Sequence, residues 1–227
     1  MDEYRNKLKR VGAVLIIVGL LDIVALIYCI SNCITYSSSL NIFAVIAGIF
    51  LYRESLKAAR VIALICAILF AAFGTMIFVS PFVMKVPLDF LLTSIKLKPA
   101  HFAGFSLFVV FLFSLLLWTY LQLTSREVYG AIVENGINVE KIWRKPKNGF
   151  AFGAAFTILL SLLVFLGISD ETRIAVKAEA AKKVGHGYKY YVSSIQVSYT
   201  NGVKEVTASV MAYNDNDIKE LEITLDK

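Results

Sequence analysis

The chain has 227 residues, 58% of them hydrophobic, a mean hydropathy of +0.69 and a net charge of +6. That composition excludes an ordinary soluble domain and makes a bilayer the solvent for most of the chain. The charge does not point to nucleic acid, because residues 1–168 carry 15 basic and 8 acidic side chains whereas residues 169–227 carry 8 and 9, so the polar region lacks a basic binding face.

About 20 apolar residues at 1.5 Å rise cross a hydrocarbon core of about 30 Å. Five runs meet or approach that length, at about 11–30, 34–52, 61–84, 102–123 and 150–168. The expected architecture is a mainly α membrane protein: a five-helix transmembrane bundle over 1–168, then a small extracytoplasmic α+β domain (αβββ, an antiparallel meander) over 169–227.

Arg5, Lys7, Lys9 and Arg10 precede the first run like the basic region of a secretory signal. The run is too long for one and contains Asp22, so it is expected to stay in the mature protein. Tyr28 and Asn32 stand before Cys29 and Cys33 where a lipoprotein site needs a small residue, which argues against a lipid anchor. A carboxyl inside a span is costly without a partner, and Asn41 lies at a similar depth on the next run, so Asp22 and Asn41 are expected to pair across a hairpin. The alternative is a proton or ion path through Asp22, that is, a small-solute or ion transporter. The second run opens on Tyr36, Ser37, Ser38 and Ser39, which shifts its helix start towards Leu40.

In the third run Ala59, Ala63, Ala67, Ala71 and Thr75 recur every four residues, as do Gly149, Gly153, Thr157 and Ser161 in the fifth. Small faces let helix backbones approach closely in lipid, so both stripes read as packing seams, either within the bundle or at a homodimer contact. The fourth run carries Phe102, Phe105, Phe108, Phe111 and Phe113, a bulky surface suited to lipid, with Trp118 and Tyr120 near its end at headgroup level. Between the third and fourth runs, Leu88, Leu91, Leu92 and Ile95 alternate with Asp89, Thr93 and Lys96 between Pro87 and Pro99, the pattern of a short amphipathic helix lying on the membrane face. Val128, Ile132 and Val133 suggest a further short helix before Asn135 and Gly136. Trp143 with Arg144, Lys145 and Lys147 forms an interface anchor attractive to anionic lipid.

With the N-terminus inside, the inner segments hold twelve basic residues and the short outer segments only Lys85, Lys96 and Lys98. Basic residues are retained on the cytoplasmic side, so the C-terminal domain is expected outside, in a bacterial envelope the periplasmic face of the inner membrane.

Ser169 can cap a helix that carries Lys182 and Lys183 in its last turn before Gly185, with Ile174, Ala178, Ala181 and Val184 as its apolar face. From Tyr188 the period becomes two, Asn201 and Gly202 supply a tight hairpin turn, Val206, Ala208, Val210 and Ala212 share one strand face, and Leu221, Ile223 and Leu225 alternate in a third strand. His186 and His101 stand alone, and Asn214, Asp215, Asn216 and Asp217 lack the glycine and distal glutamate of a calcium loop. No catalytic motif, cofactor loop or metal set is present. The expectation is a non-enzymatic membrane protein without cofactor, whose exported domain engages an envelope protein through an open sheet edge.

Overall fold

A computed structural model describes residues 2–32, 41–136, 145–167, 170–185, 187–200 and 203–226. Its helices are α1 (Asp2–Ser31), α2 (Asn41–Tyr52), α3 (Leu56–Val83), α4 (Leu88–Leu97), α5 (Pro99–Leu123), α6 (Arg126–Glu134), α7 (Asn148–Gly167) and α8 (Asp170–Val184). The strands β1 (Lys189–Thr200), β2 (Val203–Tyr213) and β3 (Ile218–Asp226) follow.

Among the described residues, α1, α3, α5 and α7 are long and apolar enough to cross a membrane. The helix α2 is equally apolar but has 12 residues, about 18 Å at 1.5 Å per residue. The rest of the second run, residues 34–40, lies outside the described residues.

The chain forms two compact units, one of residues 1–74 with 111–155 and one of residues 75–110 with 156–227. In the first, α1 and α2 pack antiparallel through paired glycines. A Cβ placed on Gly12 would sit 2.7 Å from the Gly48 carbonyl oxygen, and one on Gly48 would sit 2.7 Å from the Gly12 carbonyl oxygen. Only hydrogen fits at that crossing. Leu8, Val11, Leu15, Leu51, Ile62 and Leu116 make the core beside it. The amphipathic α6 adds Val128 and Ile132 to this core.

The stripe of small residues on α3 is buried at Ala59, Ala63 and Ala67. The N-terminal end of α7 runs parallel to it: a Cβ on Gly149 would lie 2.9 Å from the Ala67 Cβ, and one on Gly153 would lie 2.3 Å from the Ile68 carbonyl oxygen. Phe70 then meets Phe113 and Phe150 edge to face, at centroid distances of 5.0 and 5.9 Å. Trp118 and Tyr120 are half-buried and pack against the core, and Tyr120 also meets Phe150 edge to face at 5.0 Å.

In the second unit the sheet has the order β1-β2-β3, antiparallel throughout. Alternation puts Val206, Ala208, Val210 and Ala212 on one buried face of β2. That face meets α8 through Val176 and Ala180, with Ile223 between them. The apolar face assigned to α8 from sequence is therefore corrected: Ile174 is 67% exposed, while Thr172, Val176 and Ala180 are buried. The helix is alanine-rich with few bulky residues, so more than one face satisfies helical spacing, and Val176 packs because it stands over the sheet. The register of β1 against β2 shifts between Val192 and Ser194. This extra residue leaves Tyr190, Val192 and Ile195 all against the α8-side core and Tyr191 on the opposite face. At the end of α8, Gly185 adopts φ +95°, and its amide donates to the Ala181 carbonyl at 2.9 Å.

Candidate functional site

The second face of the sheet is the chemically richer one. Tyr213 on β2 pairs with Lys189 on β1. Alternation aims both side chains away from α8, towards Asp89 in the first turn of α4. Lys189 Nζ donates to Asp89 Oδ2 at 2.5 Å and the Tyr213 hydroxyl donates to Asp89 Oδ1 at 3.0 Å. Asp89 Oδ1 also accepts the Phe90 amide at 3.1 Å. The Lys189 hydrogen bond, followed by that of Tyr213, holds the Asp89 carboxyl below its ordinary value. Burial, reinforced by the Asp89 contact, pushes the Tyr213 phenol up to about 12. The Phe90 ring fills the space between Tyr191 and Tyr213, with centroids 5.1 and 5.2 Å away.

Beside this clamp lies a groove of about 360 Å³. Lys98 and His101, at the corner where α4 gives way to α5, form one rim, and Glu220 of β3 contributes a carboxylate to the lining. Phe102 and Phe105 of α5, with Met211 of β2, supply apolar walls. The volume falls in the range of small-ligand pockets.

A second polar cluster gathers around the N-terminal turns of α1. Lys7 donates to Glu127 of α6 at 2.6 Å, while Arg5 and Lys9 reach Glu54 at 3.2 and 2.9 Å. The Lys7 contact draws the Glu127 carboxyl down to about 2. Glu54 sits in the turn after α2 with φ 60°. These pairs fasten α1 to the α2–α3 turn and to α6.

Of the residues singled out from sequence, Asp22 is half-buried in α1, while the Asn41 side chain, Trp143 and Arg144 lie outside the described residues. Lys145 and Lys147 are exposed. Ala71, Thr75, Thr157 and Ser161 are half-buried, less enclosed than the other members of their stripes. Cys66 is buried and Cys29 half-buried, and Cys33 and His186 fall outside the described residues. Among the described residues no three His, Cys, Asp or Glu side chains gather as a metal set. Sequence reasoning placed Asp89 on the polar side of an amphipathic helix and treated His101 as isolated; pairing with β1 and β2 brings the first onto the sheet, and the α4–α5 corner brings the second beside Lys98. The Gly12 and Gly48 crossing was equally hidden, since Gly12 and Gly19 in the first run and the single Gly48 in the second form no four-residue repeat to recognise. Comparison with protein-family models, with curated proteins and with solved structures finds no match for this chain.

Proposed function

We propose that this is a non-enzymatic polytopic membrane protein whose C-terminal αβββ region binds or positions another envelope protein on the extracytoplasmic side. In this reading the apolar run 34–52, which includes α2, makes a fifth crossing, the N-terminus is cytoplasmic, and residues 169–227 form the exported domain. The preponderance of basic residues in the inner segments supports that orientation.

The observation that carries the interaction role is the pairing of the sheet. One face is covered by α8, and Phe90 packs on the other. That leaves the edges. The edge strand β1 is interrupted by its register shift at Val192, a feature that blunts edges against added strands. By contrast, β3 pairs with β2 without a shift from Ile218 to Asp226. It is therefore the edge suited to an incoming strand. Lys219, Glu220 and Glu222 on it discourage pairing with a second copy and favour a partner with basic residues.

The test places a photoreactive side chain at Glu222 or Thr224 of the full chain in intact membranes and identifies crosslinked proteins by mass spectrometry. A control probe goes to the exposed Tyr129 of α6. One protein captured reproducibly from β3 and not from α6 supports the reading; identical or empty sets at both positions overturn it.

A further inference from the structure

The groove beside the Asp89 clamp combines three chemistries that no single small ion or apolar molecule would use. Lys98 supplies a positive charge and His101 a ring N–H at the α4–α5 corner, while Glu220 supplies a carboxylate from β3. Asp89 does not compete for the cations at the corner, because Lys189 and Tyr213 already occupy its oxygens. Phe102 and Phe105 in the wall are three residues apart on α5, so they share a face, and Phe108 continues the same line along the helix. These rings are 47%, 60% and 58% exposed, on a helix apolar enough to cross a membrane. The line therefore runs from a polar groove towards hydrocarbon.

We infer that this groove binds one phospholipid with a phosphoethanolamine-type headgroup. The phosphate accepts from Lys98 and His101, the primary ammonium donates to Glu220, and an acyl chain lies along Phe102, Phe105 and Phe108. A primary ammonium has three N–H donors for a carboxylate, which a quaternary choline lacks, and a glycerol headgroup brings no cation. The inference needs the membrane setting but not the protein partner proposed above.

Native mass spectrometry of the full chain in non-ionic detergent tests it, with phosphatidylethanolamine, phosphatidylcholine and phosphatidylglycerol of the same chains, and free phosphoethanolamine, as probes. A single phosphatidylethanolamine should bind about tenfold more tightly than either other lipid, as loss of one charge-assisted contact implies. Glu220→Gln should bring phosphatidylethanolamine down to the level of phosphatidylcholine without altering phosphatidylglycerol. Lys98→Gln with His101→Gln should weaken all three lipids about tenfold. Glu220 also accepts the Ser209 hydroxyl at 2.8 Å, so Ser209→Ala, which removes that bond and keeps the charge, must leave lipid selectivity intact. Equal affinity for the three lipids, or no effect of Glu220→Gln in a folded protein, overturns the inference. So does free phosphoethanolamine binding as tightly as the lipid, which would make a soluble phosphate ester the ligand.

Discussion

Two kinds of residue set the local energetics of this chain: glycines where backbones touch, and charged groups whose partners lie far away in sequence. Gly12 faces the Gly48 carbonyl and the Tyr52 backbone amide, each 2.7 Å from where a Cβ would be. Backbone cannot step aside as a flexible side chain can, so Gly12→Ala should force α1 from α2 and destabilise by about 1–3 kcal/mol. Gly104 has nothing within 4 Å. There alanine should be neutral or stabilise by up to about 1 kcal/mol, through helix propensity alone. Thermal unfolding of the two variants in the same detergent checks the contrast. Asp89 makes a different prediction. Its pKa is held below the ordinary 3.8 by Lys189 and Tyr213. A depressed carboxyl contributes stability that is complete above its unfolded pKa and is lost as pH falls through the folded value. Protection of β2 amides in denaturant should thus weaken below about pH 4. Asp89→Asn should show the weakened protection already at neutral pH and a flatter acid limb. Tyr213 runs the other way: its raised pKa keeps the neutral phenol bonded up to alkaline pH, and its contribution fades as pH climbs from about 10 towards its folded value of about 12.

At the scale of elements, sequence pattern and structure agree where a period is strict and part where it is not. The strand β2 places a small or β-branched apolar residue at every second position from Val206 to Ala212, and its buried face follows. The helix α8 is less determined, because alanines at 175, 178, 180 and 181 blur its apolar direction. Val176 is fully buried against the sheet, so Val176→Ala should cost about 2 kcal/mol, from two methyl groups and the cavity they leave. Ile174→Ala should stay within about 0.5 kcal/mol, as surface changes do. Hydrogen exchange of β1 and β2 amides separates the two. The helix α4 was legible as an amphipathic element from its flanking prolines and leucine spacing. Its use as a clamp was not, since the Asp89 contact to Tyr213 spans 124 residues. Long-range pairing of this kind leaves no local periodicity.

For the whole molecule, the number of crossings decides the side on which each part lies. Lys57 follows α2 and Lys177 lies on α8; both are exposed. With five crossings and the N-terminus inside, Lys57 is cytoplasmic and Lys177 extracytoplasmic. With four, omitting α2, both positions change sides. In a background where Cys29, Cys33 and Cys66 are alanine, Lys177→Cys should react with an impermeant maleimide on intact right-side-out vesicles, and Lys57→Cys only after permeabilisation. The reverse pattern would remove the exported domain, leaving either four crossings or an inverted bundle. Composition and run length alone determined that the chain carries helices long and apolar enough to cross a membrane, because a water-soluble core rarely absorbs so many apolar residues in runs of this length. The period-two pattern likewise determined the antiparallel strands. Only tertiary structure decided that Gly12 meets Gly48, that Val176 rather than Ile174 covers the sheet, and that Lys98, His101 and Glu220 line one groove. Periodicity encodes which face of an element is apolar, whereas the partner of that face is chosen by the packing of segments separated by tens to more than a hundred residues.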